Sequence, residues 1–254
     1  AVQIACEKIL ERLKVSASEI LDCEPASVEI KNGTVHVNQA AVSLSWDELV
    51  NASYLKRVNL SEHGHYATPG INFDNTVEKG HPFAYHVYGT SIIEATVDCL
   101  RGTYKIDSVR AVHDFGNSLN PVIDLGQAEG AIIQGIGWMT IEEIIYNKEG
   151  KLLTDLLSTY KVPDIHFAPK EMEIIFHGKP NAAGIFQSKA IGEPPLMYGI
   201  GAYFAIRNAV SEFTGRNDFE YSSPITPEKV LMNLFRYSAT ESSMHKEKKF
   251  TEII

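Results

Sequence analysis

The chain has 254 residues, 44% of them hydrophobic and 22% charged, a composition typical of a soluble globular protein. Its formal net charge of −9 argues against a surface that binds nucleic acid, and no apolar run reaches the ~20 residues of a membrane span. Its three cysteines are far apart without CxxC spacing, so the sequence predicts a protein of the reducing cytoplasm that holds neither an iron–sulfur cluster nor a structural zinc of its own.

The first segment carries apolar side chains at helical spacing over residues 1–13 and has no capping residue before it. We expect a helix there, in a chain cut from or continuing a longer polypeptide. Two alternating segments, 28–31 and 34–37, flank Asn32-Gly33 and predict a β-hairpin. The sequence Ser45-Trp46-Asp47-Glu48 has the pattern of a capping box and predicts a short helix after it.

Residues 59–82 are polar and irregular. His63 and His65 lie among them, but two ligands on a loop need further ligands nearby, and we expect no metal there. Two long strands are predicted between Phe83 and His113, followed by a segment of turn-forming residues that ends at Pro121.

A helix is predicted over residues 126–138, although four of its residues are glycine. Glycine in a helix interior costs up to ~1 kcal/mol relative to alanine. Two interpretations remain open: close approach of a ligand to the backbone, or tight packing against a neighbouring element. The glycine spacing fits neither a phosphate-binding loop nor a dinucleotide fingerprint.

A second hairpin is predicted over residues 142–153, a strand over 171–176 and a last helix from Thr226-Pro227 to about Phe235. No segment is rich enough in glycine and serine to act as a domain linker. The predicted organisation is therefore one domain over residues 1–237 and a polar, disordered tail over 238–254.

One carboxylate is held in an unusual frame, because Glu193 lies between Gly192 and two prolines, Pro194 and Pro195. An apolar run predicts a helix over residues 196–210, and residues that precede proline favour an extended backbone. Glu193 and Pro194 should then be extended, with Glu193 held rigidly, as a catalytic base requires, and its carboxylate facing a cavity. The competing interpretation is a glutamate that only complements the helix dipole.

Five motifs in order along the chain resemble those of the molybdenum hydroxylase family, which includes xanthine dehydrogenases and aldehyde oxidases. They are Ser118-Leu119-Asn120-Pro121, Gly126-Gln127-x-Glu129-Gly130 with Gln134-Gly135, Glu142-Glu143, Ser158-Thr159-Tyr160-Lys161-Val162-Pro163, and Ser188-Lys189-Ala190-Ile191-Gly192-Glu193-Pro194-Pro195-Leu196. Each motif is weak alone, but five in order with similar gaps are a strong signal. The likeness as a whole covers about residues 1–235 and is nearest to the C-terminal part of the molybdopterin-binding subunit of the bacterial xanthine dehydrogenase type.

The resemblance implies an α+β fold of mixed sheets with packed helices. It implies that Glu193 is the catalytic base and that Gln127 contacts the pterin of a molybdenum–molybdopterin cofactor, with no metal ligand from this chain. The family uses water to hydroxylate an electron-poor carbon of an N-heterocycle, with xanthine or hypoxanthine favoured here. Electrons pass to 2Fe-2S clusters and FAD on partner domains or subunits.

The partners implied are the N-terminal half of the molybdopterin subunit, the iron–sulfur and FAD subunits, and a small heterocyclic substrate, in a dimeric complex. This chain alone should then be inactive. An aldehyde or nicotinate-type hydroxylase is an alternative within the family. Another is a non-catalytic binding or scaffold module that keeps Glu193 as a helix cap. A hydrolase using Glu142 and Glu143 is disfavoured, because adjacent residues point away from each other.

Overall fold

A computed structural model describes residues 1–236 of the chain, so the predicted tail over 238–254 lies outside the described residues. Contacts divide the chain into two compact units, the first Ala1–Gly70 and the second beginning at Ile71. No helix in the described part of the chain is long and apolar enough to cross a membrane.

The first unit packs two helices against a three-stranded antiparallel sheet in the order β1-β2-β3. Its elements are α1 (Val2–Leu21), β1 (Val28–Lys31), β2 (Thr34–Val37), β3 (Ala40–Ser45) and α2 (Trp46–Leu55). Buried apolar side chains from both helices and the hairpin form its core: Leu13, Ala17, Val28, Val35 and Leu49. The first helix is longer than predicted, because apolar residues continue beyond Leu13 and reach this core.

Local sequence patterns place the hairpin and the second helix correctly. Val28 pairs with Val37, and Asn32 and Gly33 take the positive φ angles, 49° and 74°, that a two-residue turn requires. The backbone N–H of Glu48 donates to Ser45 Oγ at 3.3 Å, while Ser45 N–H donates to the Glu48 carboxylate at 2.9 Å. The predicted capping box is therefore confirmed.

The second unit is organised around one long strand. Its elements are β4 (Asn72–Asp74), β5 (Lys79–His81), β6 (Tyr88–Asp98), β7 (Thr103–Asp114), α3 (Pro121–Thr140), β8 (Glu171–Phe176), α4 (Ile200–Thr214) and α5 (Pro227–Phe235). Strand β7 is central: β6 pairs with it antiparallel and β8 pairs with it parallel. The chain therefore crosses from β7 through α3 to β8, as parallel pairing demands. The two long strands, the strand over 171–176 and the last helix are confirmed.

Buried apolar side chains between this sheet and helices α3, α4 and α5 form the core of the second unit. They include Ile106, Val109, Ile132, Ile136, Ile206, Val210 and Val230. The predicted hairpin over 142–153 is reduced to a turn and a single bridge between Tyr146 and Leu152. The Asn147 side chain accepts hydrogen bonds from Glu149 and Lys151 N–H groups, so it satisfies backbone donors near the turn.

The four glycines of α3 divide between the two interpretations. A Cβ at Gly135 would overlap the backbone of Leu196, and a Cβ at Gly137 would overlap Pro163. These two glycines therefore permit tight packing. Positions 126 and 130 have open space around the site of a Cβ. Of the four glycines, Gly126 and Gly130 are the two at which a ligand could approach the backbone of α3 from solvent.

We expect Gly135→Ala to destabilise the second unit by about 1–3 kcal/mol, because the added methyl group forces α3 away from the segment it contacts. Denaturant unfolding of the purified chain measures the change. Gly130→Ala is the matched control, since its Cβ enters open space and alanine favours a helix by up to ~1 kcal/mol. Equal stability of the two variants would contradict the packing role of Gly135.

Candidate functional site

The segment that carries Glu193 is attached to the end of the central strand β7. Ser188 forms an isolated bridge with Gly116, and the Lys189 N–H donates to the Phe115 carbonyl at 2.5 Å. The Lys189 ammonium group lies 2.8 Å from the Asp114 carboxylate. Residues 188–189 are thus held by residues 114–116, to which the sequence analysis assigned no functional role.

The ion pair between Asp114 and Lys189 is nearly enclosed, with 10% and 9% of the two side chains exposed. Burial alone would raise the pKa of Asp114. The hydrogen bond from Lys189, the backbone N–H of Gly116 and the charge of Lys189 outweigh that effect and hold the Asp114 pKa below its usual value. A buried carboxylate of this kind remains charged because it is paired.

The backbone at Glu193 differs from the extended conformation predicted. Its φ and ψ are −82° and −45°, and its carbonyl accepts a hydrogen bond from Leu196 N–H at 3.1 Å. Helical structure therefore begins at once, with a 3₁₀ helix over Pro194–Gly199 that runs into α4 at Ile200. The prediction was wrong because the preference of residues before proline is weaker than the combined effect of this hydrogen bond and the packing of the turn on α3.

The Glu193 side chain is exposed and makes no capping hydrogen bond to the helix that follows. It forms no ion pair with any residue among 1–236. A helix-capping role therefore lacks its hydrogen bond. Within residues 1–236 the carboxylate is exposed, so this part of the chain does not provide the cavity that the sequence analysis expected over it.

Gln127 lies on the exposed face of α3, beside the same segment. A Cβ at position 192 would lie 2.8 Å from Gln127 Oε1, so Gly192 allows the amide to come close to the backbone next to Glu193. The two predicted site residues are thus brought to one place on the surface. Within the described part of the chain, the Gln127 amide makes no hydrogen bond.

Three motif residues and Trp138 form one exposed face of α3. Gln127, Gly130, Gln134 and Trp138 recur at helical spacing and share an exposed stripe. The last three line an open groove of about 590 Å³ together with Glu142, Tyr160, Val162 and Pro163.

The two adjacent glutamates have separate partners. Glu142 accepts a hydrogen bond from the Tyr160 hydroxyl, which raises the pKa of Tyr160 to about 12. Glu143 pairs instead with Lys229 at 3.6 Å. The two carboxylates are therefore not directed to one shared site, in line with the low weight given to a hydrolase.

Three residues near Glu193 were not predicted as part of the site: His113, Asp114 and Tyr198. His113 Nδ1 and the Tyr198 hydroxyl share a hydrogen bond of 2.8 Å. The sequence does place two ionisable residues at the end of a strand and directly before the turn formers, a position where side chains often reach a site. Their partners are far away along the chain, so the pairing itself has no local pattern.

The chain is similar in sequence to a known protein family and to full-length enzymes. The model of the molybdopterin cofactor-binding domain family matches residues 1–169, which include Gln127 and end before Glu193. The xanthine dehydrogenase/oxidase of Felis catus is 39% identical over 91% of the chain, and xanthine dehydrogenase 2 of Arabidopsis thaliana is 35% identical over 92%. The chain spans only 16% and 17% of the length of these two relatives.

Two solved oxidoreductase structures have a similar fold. Quinoline 2-oxidoreductase from Pseudomonas putida 86 is 25% identical, with a TM-score of 0.61 over 91% of this chain and 29% of that one. Aldehyde oxidoreductase from Desulfovibrio gigas is 27% identical, with a TM-score of 0.57 over 72% of this chain and 19% of that one.

Proposed function

Because this chain belongs to the molybdopterin cofactor-binding domain family, we propose that it forms the catalytic-glutamate part of a molybdenum hydroxylase. The family and the α+β fold predicted from the motifs are confirmed, and the relatives are oxidoreductases. The roles of individual residues, the substrate and the partners are our proposal. The observation that supports it is the juxtaposition of Gln127 with Gly192, one residue before Glu193.

The residues around Gln127 fit a bulky, flat, polar cofactor. The amide is exposed and has both donors and acceptors available, which suits the edge of a pterin. Gly126 and Gly130 flank it on the helix and present open backbone rather than side chains. A ligand can thus approach α3 closely at this point, which explains the two glycines that packing does not.

When bound, a molybdenum cofactor supplies two-electron redox chemistry and a centre at which water is activated. In the proposed reaction, Glu193 accepts a proton at a carboxylate oxygen while an electron-poor carbon of the substrate is hydroxylated. Gln127 orients the pterin through its amide. Lys189 and Asp114 hold the base-carrying segment on β7, so the carboxylate is positioned by a buried anchor rather than by its own contacts.

Xanthine or hypoxanthine is the proposed substrate, because the relatives from Felis catus and Arabidopsis thaliana are named xanthine dehydrogenases. The wall that would cover Glu193 is proposed to come from the N-terminal half of the molybdopterin subunit, which would make the chain inactive alone. The proposed electron acceptors are 2Fe-2S clusters and FAD on partner subunits, in a dimeric complex. The three free thiols support a cytoplasmic location.

Aldehydes and quinoline-type heterocycles are the second candidate substrates, because the two solved neighbours are named for them. The non-catalytic alternative is weaker, because the Glu193 side chain makes no cap.

Co-expression of this chain with its genomic neighbours tests the proposal. The purified complex should contain molybdenum, iron and flavin and should hydroxylate xanthine, whereas the chain alone should have no activity. A stable complex without molybdenum would overturn the proposal. Hydroxylation of an aldehyde or of quinoline, but not of xanthine, would contradict the proposed substrate and support the proposed reaction class.

We expect Gln127→Ala to lower the molybdenum content of this complex several-fold, because the proposed pterin contact loses its amide. The molybdenum-to-protein ratio by elemental analysis measures the loss. Gln3→Ala is the matched control, since Gln3 is an exposed glutamine on α1 in the other unit. An unchanged ratio in Gln127→Ala would count against the contact.

A further inference from the structure

Two consecutive side chains at the end of β7 hold the Glu193 segment on both sides of the glutamate. Asp114 binds Lys189, four residues before it, and His113 binds Tyr198, five residues after it. Neighbouring residues of a strand point to opposite faces. The segment between Lys189 and Tyr198 is therefore attached at two points on opposite sides of one strand end.

The His113 side chain is fully buried at this contact, and Tyr198 is half-buried. The imidazole is 0% exposed and packs against the ring of Phe115 at 5.3 Å and, edge to face, against that of Tyr198 at 5.7 Å. Burial lowers the pKa of His113 and favours the neutral ring, and this effect outweighs the opposing influence of the Asp114 charge and the Ile191 backbone. Its Nε2 has no partner within hydrogen-bond geometry among the described residues, so the hydrogen bond to Tyr198 is the ring's defined side-chain contact. The ring also interacts with the backbone of Ile191, which lies in the same segment as Glu193.

Tyr198 is also fixed from the side of β6. A Cβ at Gly89 would overlap the Tyr198 hydroxyl, so the absence of a side chain at Gly89 creates the space that the phenol tip fills. The Ser91 hydroxyl donates to the Tyr198 carbonyl at 3.4 Å. The ring thus extends from the 3₁₀ helix after Glu193 across the sheet edge to His113.

We propose that His113 and Tyr198 are positioning residues for Glu193, an inference that rests on the proposed base role. Among the described residues the Glu193 side chain forms neither a capping hydrogen bond nor an ion pair, so its location depends on the backbone of Pro194–Gly199. The hydrogen bond of Tyr198 sets where that short helix lies relative to β7. Displacement of a reacting group by about 1 Å can lower a rate by 10²-fold, so a modest shift of this turn is costly.

The test uses the molybdenum-loaded complex, with rates normalised to bound molybdenum. Tyr198→Phe removes one hydroxyl and keeps the ring. We expect kcat to fall about threefold to tenfold with KM for xanthine unchanged, the size of effect of one lost hydrogen bond. Tyr104→Phe is the matched control, because the Tyr104 hydroxyl binds the carbonyls of Thr140 and Ile225 within the core. It should lower the melting temperature and leave kcat unchanged.

Two substitutions of His113 separate positioning from packing. His113→Gln keeps a polar group for the Tyr198 hydroxyl, whereas His113→Leu fills a similar volume without one. A purely structural role predicts that leucine is the better replacement in an enclosed site, for stability and kcat alike. Positioning predicts the reverse order in kcat, with glutamine retaining more turnover than leucine even if its melting temperature is lower.

The inference is overturned if kcat of Tyr198→Phe stays within twofold of wild type, or if His113→Leu retains more turnover than His113→Gln. If Glu193→Gln keeps full turnover in the same complex, the base role and the inference both fail. If Glu193→Gln loses turnover while Tyr198→Phe does not, the inference alone fails.

Discussion

Glu193→Gln is expected to lower turnover of the loaded complex by about 10²–10⁴-fold, the usual contribution of a general base. The amide has nearly the same shape as the carboxylate but cannot accept the proton. Since the side chain is exposed and makes no capping hydrogen bond, its replacement should change the free energy of unfolding by less than about 0.5 kcal/mol. Molybdenum content should also be unchanged.

Steady-state kinetics per bound molybdenum measures this effect. Glu149→Gln is a suitable control, because Glu149 is an exposed glutamate in the turn near Asn147 and, among the described residues, forms no ion pair with the Glu193 segment. Turnover near the wild-type value in fully loaded Glu193→Gln would refute the base role. A variant without molybdenum would instead assign Glu193 to cofactor retention, which also contradicts the proposal.

Elements specified by residues close together in sequence could be predicted. The Asn32-Gly33 turn, the Ser45–Glu48 capping box and the Thr226-Pro227 helix start each need only two to four adjacent residues. The structure confirms all three. In contrast, β3 was not predicted, although it pairs with β2. Two adjacent alanines begin the strand, alternation is confined to residues 42–45, and no Asn-Gly turn leads into it.

The site divides in the same way. Glu193 and Gln127 were identified from motifs, but their proximity depends on how the 3₁₀ helix packs against α3 through Gly135 and Gly199. That contact involves backbone atoms far apart in sequence, and no periodicity predicts it. The predicted conformation of Glu193 was wrong for a related reason, since a tertiary contact overrode the preference of residues before proline for an extended backbone.

The anchor beneath the site could not be predicted at all. Asp114 was interpreted only as a turn former, and Lys189 only as part of a motif. Most charged residues lie on the surface, so a charge in a sequence is not by itself a prediction of a buried pair. The parallel pairing of β8 with β7 is likewise not evident from the sequence. It extends the sheet beside the end of β7, where Asp114 binds Lys189.

We expect Lys189→Ala to destabilise the second unit by about 3–5 kcal/mol, because it leaves the Asp114 carboxylate buried without its partner. Urea unfolding of the purified chain measures the change. Arg110→Ala is the control: its pair with Glu173 is also on β7 but is exposed and 3.9 Å long, so it should cost less than about 1 kcal/mol. Equal losses in the two variants would show that burial adds nothing to the Asp114–Lys189 pair.

The pH dependence gives an independent test of the same pair. The pKa of Asp114 in the folded protein lies below its unfolded value, so the pair contributes its full stability above the unfolded pKa of about 3.9. That contribution is lost as the pH falls through the folded pKa, when the carboxylate takes up a proton. Asp114→Asn cannot take up this proton, and it should therefore be less stable than wild type at pH 7. The difference should narrow as the pH is lowered below about 4. A constant difference between the two proteins across that range would mean that Asp114 stabilises the strand end through hydrogen bonds that do not depend on its charge, such as the bond from Gly116 N–H.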